Sequence, residues 1–184
     1  MFSVQQKQTL LHLAKASIHH GLETGRPLPV NLEDYEPELQ EQGACFVTLQ
    51  INNQLRGCIG SLEAYRPLIE DVADNAFAAA FRDPRFPELS DSEYDQLHYH
   101  ISVLDKPAPM SFSSEQDLIQ QIRPGIDGLV LHDKHNRGTF LPSVWESLPD
   151  TESFLQHLKI KAGLSPGYWS DTIQVERYTV EDIE

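Results

Sequence analysis

From Ala44 to Leu62 the side chains alternate. Cys45, Val47, Leu49 and Ile51 fall on one parity, Phe46, Thr48 and Gln50 on the other, and the alternation breaks once, at Asn52-Asn53. Period two sends neighbouring side chains to opposite faces of a strand, and Asn tolerates the positive φ of a tight turn, so this segment is predicted to be a β-hairpin. A two-residue loop would set Val47 against Cys58 and Leu49 against Arg56, mixing a charge into the apolar row. A three-residue loop, Asn52 to Gln54, instead aligns Cys45, Val47, Leu49 and Ile51 with Ser61, Ile59, Gly57 and Leu55, and we take that register. Phe46, Thr48, Gln50, Arg56, Cys58 and Gly60 then share the opposite face.

The rest of the chain supplies helices to cover such a hairpin. Ser3 and Gln6 form a capping-box pair, and Leu10, Leu11, Ala14, Ile18 and Leu22 make one apolar stripe before Gly25 and Pro27. Arg26 to Gly43, with its prolines and carboxylates, reads as a solvated connection with at most one short helical turn. Pro67 opens a helix whose face carries Leu68, Ile69, Val72, Ala73, Ala76, Ala79 and Ala80, small enough for close approach to a sheet. Asp83-Pro84-Arg85-Phe86-Pro87 ends it, and Ser90 and Glu93 cap a short turn. Leu97 to Leu104 alternates as a strand with His98, His100 and Ser102 on one side.

Beyond Pro107 and Pro109 the pattern predicts a short helix over Glu115 to Ile122. A second hairpin pairs Leu129 to His132 with Thr139 to Leu141 around Asn136 and Gly138. A helix from Glu152 to Ala162 and a final strand from Thr172 to Thr179 complete the chain. Hairpins dominate and helices interleave irregularly, so the fold class is α+β, mainly antiparallel sheet flanked by helices. The 184 residues suit one domain, or two small lobes sharing a core.

A formal charge of −14 repels phosphate backbones and anionic headgroups, which argues against nucleic-acid and membrane partners. No apolar run reaches the length of a membrane span, and Met1 to Lys15 lacks a secretory leader pattern, so the cytoplasm is the expected location. In that compartment Cys45 and Cys58 are expected as free thiols, and the register places them on opposite faces. Cys45 reads as a small core residue. Cys58 follows Arg56 by two positions, which would set a guanidinium near the sulfur and raise its thiolate fraction. His98 and His100, with Cys58 on a neighbouring strand, have ligand chemistry suited to zinc or iron, but no further ligand can be assigned, so no metal or cofactor is expected.

The hexapeptide Leu55-Arg56-Gly57-Cys58-Ile59-Gly60, followed by Ser61-Leu62, resembles the signature of the AMME chromosomal region candidate (AMMECR) family, whose bacterial and archaeal members are called AmmeMemoRadiSam system protein A. Phe46 to Leu49, Phe81 to Leu89, Ile101 to Leu104, Gly128 to Leu131, Phe140 to Pro142 and Lys161 to Leu164 extend the likeness over most of the chain. The resemblance implies an α+β fold with a larger lobe formed from both chain ends and a smaller lobe. It also implies a groove near the signature, and a Memo-like protein and a radical S-adenosylmethionine protein as partners. It names no reaction. Two positions depart from the family pattern: His100 stands where bacterial relatives often carry Glu, and Ser143 follows Leu-Pro where Gln is expected.

The residues together point to a groove for a small molecule or peptide. Cys58 is its expected nucleophile or covalent anchor, Arg56 its anion-binding and thiolate-stabilising group, and His100 with Ser102 its proton-transfer partners. Gly57, Gly60, Arg82 and Arg85 are the further expected ligand-binding positions. The alternative is a non-catalytic adaptor that docks the two partner proteins, using its glycines for close chain-to-chain contact.

Overall fold

The computed structural model describes all 184 residues. In chain order it contains α1 (Val4–Thr24), α2 (Pro37–Gln40), β1 (Gln42–Ile51), β2 (Gln54–Gly60), β3 (Arg66–Pro67), α3 (Leu68–Phe81) and α4 (Asp91–Tyr94). There follow β4 (His98–Leu104), β5 (Ala108–Pro109), α5 (Glu115–Gln121), β6 (Gly128–Asp133), β7 (Asn136–Phe140), α6 (Thr151–Lys161), β8 (Gln174–Tyr178) and β9 (Val180–Ile183). Two compact units result: the larger comprises Met1–Leu104 with Glu181–Glu184, and the smaller Asp105–Val180. The larger unit therefore draws on both chain ends, as expected. Each unit has its own cluster of buried apolar side chains.

The larger unit holds the sheet β2-β1-β4-β9, with β3 paired to β1. Its core is the inner parity of the hairpin, Cys45, Val47 and Leu49, packed with Ile101 and Val103 of β4 and the faces of α1 and α3. Each fully buried Leu or Ile there contributes about 1.5–3 kcal/mol. α1 begins as predicted: Ser3 accepts from the Gln6 backbone and the Gln6 side chain from the Ser3 backbone. The connection from Arg26 to Gly43 is less irregular than expected, with a 3₁₀ turn at Leu32–Asp34 and α2, whose Leu39 is buried.

The hairpin realises both registers that the sequence offered. Asn52 and Asn53 both have positive φ and form a two-residue loop, with Ile51 opposite Gln54 and Gln50 opposite Leu55. A bulge then shifts the pairing by one residue, so Leu49 faces Gly57, Thr48 faces Cys58 and Val47 faces Ile59. Arg56 is the extra residue. The bulge keeps the tight turn and the unmixed apolar row together, at the cost of one unpaired position.

The smaller unit holds the sheet β5-β8-β6-β7. Its second hairpin turns at Lys134-His135, with Lys134 at positive φ, two residues earlier than the expected turn around Asn136 and Gly138. Its core is built on Leu129, Leu131 and Val175 with Phe154, Leu155 and Leu158 of α6; Trp145 stacks on Phe154 at 3.7 Å. The expected strand from Thr172 to Thr179 is β8 of this sheet, and beyond Thr179 the chain forms a further strand, β9, which belongs to the sheet of the larger unit.

Candidate functional site on the larger sheet

Across the outer face of the larger sheet the pairing puts Cys58, Thr48 and His100 in one row, and Gly60, Phe46 and Ser102 in the next. The Thr48 hydroxyl donates to the Cys58 sulfur at 3.2 Å. At the other end of the row β9 brings two carboxylates to His100. Its Nε2 lies 2.9 Å from Asp182 Oδ1 and its Nδ1 2.8 Å from Glu184 Oε1. The Ser102 hydroxyl donates to the same Asp182 oxygen at 2.6 Å. Sulfur and imidazole are two strand spacings apart, about 10 Å, so they reach one another only through Thr48 or through a ligand lying across the strands.

Cys58 also sits on an edge strand, and the edge is closed by side chains. Asp83 Oδ2 accepts the Cys58 N–H at 2.9 Å, and Arg85 Nη2 donates to the Cys58 carbonyl at 3.3 Å. Asp83 and Arg85 hold each other at 2.7 Å. The Arg85 hydrogen bonds keep the Asp83 carboxyl well below the usual carboxylate range, helped by the Cys58 N–H and opposed by burial. The pair completes the hydrogen bonding that a further strand would supply.

Arg56 does not stand beside Cys58 as a stabilising cation. As the bulge residue it turns to the segment after α3, where its guanidinium donates to both carboxylate oxygens of Glu93, at 2.8 and 3.2 Å, and to the Pro87 carbonyl at 2.9 Å. It is buried and its guanidinium is taken up by Glu93 and Pro87, so it does not present the free cation expected beside Cys58. Gly57 and Gly60 are packing positions. A Cβ on Gly57 would stand 2.0 Å from the Ala79 carbonyl oxygen of α3, and one on Gly60 would stand 2.3 Å from the Phe46 ring. Arg82 caps α3 and lies over the Phe77 ring at 4.9 Å. Cys45 is fully buried, and burial pushes its thiol up.

Behind the signature strand a buried polar knot fixes the backbone. Asp71, fully buried, accepts from the Cys45 N–H, the Ser61 hydroxyl, Arg66 Nε and the Asn75 amide at 2.7–2.9 Å. Sequence reasoning missed Asp71, Asp83, Asp182 and Glu184. Asp83 stood inside a stretch already noted as a helix terminator, whereas nothing in the last four residues signals a strand that crosses to the other sheet. At the His100 end a groove of about 740 Å³ opens between α1 and β4, lined by His12, Lys15, Gln50, His98, His100 and Glu184 among others. No three His, Cys, Asp or Glu side chains are grouped so as to hold a metal ion. No helix is long and apolar enough to cross a membrane.

Residues 11–183 match the model of the AMMECR1 family. The chain belongs to the AMMECR1 family. Among AMMECR1 relatives, Protein MJ0810 of Methanocaldococcus jannaschii is 34% identical over 100% of this chain and 92% of its own. A protein of Sulfurisphaera tokodaii is 38% identical over 93% of this chain and 78% of its own. The crystal structure of the uncharacterized protein PH0010 from Pyrococcus horikoshii superposes with a TM-score of 0.85 at 34% identity, covering 98% of this chain and 92% of that one.

Proposed function

We propose that this AMMECR1 protein binds a small molecule or an extended peptide across the outer face of its larger sheet, with Cys58 as nucleophile or covalent anchor. The observation that carries the reading is the row Cys58–Thr48–His100, in which a half-buried thiol accepts a hydroxyl hydrogen bond and an imidazole is flanked by two carboxylates. Thr48 donates to the sulfur and Arg85 holds the Cys58 carbonyl, fixing the thiol in place, and His100, oriented by Asp182 and Ser102, exchanges protons at the far end of the ligand. In the cell this would be the work of protein A of the AmmeMemoRadiSam system, beside a Memo-like protein and a radical S-adenosylmethionine protein.

Alkylation by iodoacetamide, read site by site with mass spectrometry, tests the thiol. Cys58 should be labelled in the folded protein while Cys45 is labelled only after unfolding, and Thr48→Val and Arg85→Gln should each slow the Cys58 rate several-fold. Equal rates in parent and both variants would remove the nucleophile. One observation favours the adaptor instead: the Cys58 N–H, which a reacting oxyanion would need, is already bound to Asp83. If Cys58→Ser supports the protein's cellular role as well as the parent does, docking of the two partner proteins is the better reading.

A further inference from the structure

The smaller unit contains a second, separate groove of about 650 Å³, a size suited to small ligands. Its walls include Met110, Phe112 and Trp169, and its charged groups are the carboxylates of Asp171 and Glu176; His132 is the remaining titratable side chain, and neither Lys nor Arg lines it. Neither carboxylate is engaged in an ion pair within the chain.

The wall that carries Trp169 and Asp171 is held from behind by one buried carboxylate. Asp133, 2% exposed, accepts from the hydroxyls of Tyr168 at 2.7 Å, Ser170 at 2.9 Å and Thr172 at 2.6 Å. The hydroxyl bonds fix the segment from Tyr168 to Thr172, and Trp169, Ser170 and Asp171 of that segment line the groove. Phe112 braces the Trp169 ring at 5.7 Å with a 56° tilt. Lys159, whose ammonium lies 5.6 Å from that ring, is paired with Glu115, so its charge is compensated. An aromatic wall fixed in place beside two unpaired carboxylates is chemistry for a cation with an apolar body.

We propose that this groove is a binding site for a small organic cation, an amine or quaternary ammonium carrying an aromatic or aliphatic group. Trp169 and Phe112 pack on the apolar body, Asp171 and Glu176 face the charge, and Asp133 is a positioning residue that fixes the Trp169 wall.

The indole N–H resonances of the full chain provide the test, because Trp145 Nε1, which donates to the Asp127 carbonyl at 2.7 Å in the core, is an internal reference. Titration with phenyltrimethylammonium should shift the Trp169 signal saturably and leave that of Trp145 in place. Benzyl alcohol, similar in size and uncharged, should bind about tenfold more weakly, a difference of about 1.4 kcal/mol, and benzoate not at all. The double variant Asp171→Asn, Glu176→Gln should lower the cation's affinity to that of benzyl alcohol, leaving benzyl alcohol itself unchanged. Asp133→Asn should weaken both probes together. Equal affinity of the cation and the alcohol in the parent, full cation affinity in the double variant, or no saturable shift at Trp169 would each overturn the proposal.

Discussion

Arg56 and Glu93 form a two-pronged ion pair, with Nε and Nη2 of the guanidinium 2.8 and 3.2 Å from the two carboxylate oxygens. The guanidinium is buried, so the pair ties the bulge of β2 to the cap of α4, where Glu93 also accepts the Ser90 N–H. The Arg56 hydrogen bonds, reinforced by that N–H, lower the Glu93 carboxyl from 4.5 to about 2. Because the folded-state value lies below the unfolded one, the stabilisation is complete above about pH 4.5 and is lost as pH falls through about 2. Glu93→Gln should therefore cost about 2–4 kcal/mol near neutrality, since it strands a buried cation. Urea denaturation of parent and variant should show the gap closing across that acid window; a gap independent of pH would contradict the assignment.

Gly57 and Gly60 should differ in how they fail. At Gly57 an added methyl meets the backbone oxygen of Ala79, 2.0 Å away, and no side-chain rotation relieves it. Gly57→Ala should cost about 3 kcal/mol or more by forcing β2 from α3, and Ala79→Gly should not rescue it. At Gly60 the first obstacle is the Phe46 ring, so Phe46→Leu should recover part of the loss in Gly60→Ala, though the Cys45 carbonyl at 2.6 Å prevents full recovery. Thermal melts of the single and double variants check both statements.

These two glycines also mark how far local pattern reaches. Period two made the hairpin and its apolar face legible, because alternation is a property of neighbouring residues, and the register from Phe46 to Leu49 follows from keeping Arg56 out of the apolar row. The bulge was not legible: Asn52-Asn53 favours a two-residue turn, the apolar row requires the other register, and only the extra residue satisfies both. Its consequence, a guanidinium redirected to Glu93, depends on a residue distant in sequence. Asp182 and Glu184 escaped notice for the same reason, since their meaning comes from a strand that leaves one sheet at Thr179 and joins another. Cys58, Thr48 and His100 were visible on faces and strands; that they share a row required knowing that β4 lies beside β1.

Asp71 is the polar group on which the signature region depends most. It receives one backbone and three side-chain donors while fully buried, and it holds Arg66 against the sheet. Asp71→Asn keeps the shape, but it leaves the Arg66 cation without its buried partner and turns an amide donor toward other donors. The expected loss is about 3 kcal/mol. Asp71→Ala should cost at least as much, and Ser61→Ala, which removes one donor, about 1 kcal/mol. Equilibrium denaturation orders the three variants, and near-neutral behaviour of Asp71→Asn would show that the knot is not holding the strand.

Asp83 should govern the exposed edge of β2. Its carboxylate occupies the Cys58 N–H and orients Arg85 onto the Cys58 carbonyl, so a single side chain controls both hydrogen-bonding groups at that residue. In Asp83→Ala the Cys58 amide loses its acceptor and Arg85 its anchor, which should speed hydrogen exchange at Cys58 at least tenfold while amides in the central strand β1 stay protected. An uncovered strand edge also templates pairing with another chain, so the variant should associate more readily than the parent as concentration rises. Arg85 keeps the parent's carboxyl ionised well below the usual carboxylate range, so protection at Cys58 should survive mild acid and disappear only at pH values under that range. Unchanged exchange at Cys58 in Asp83→Ala would mean that the edge is closed by something other than this pair.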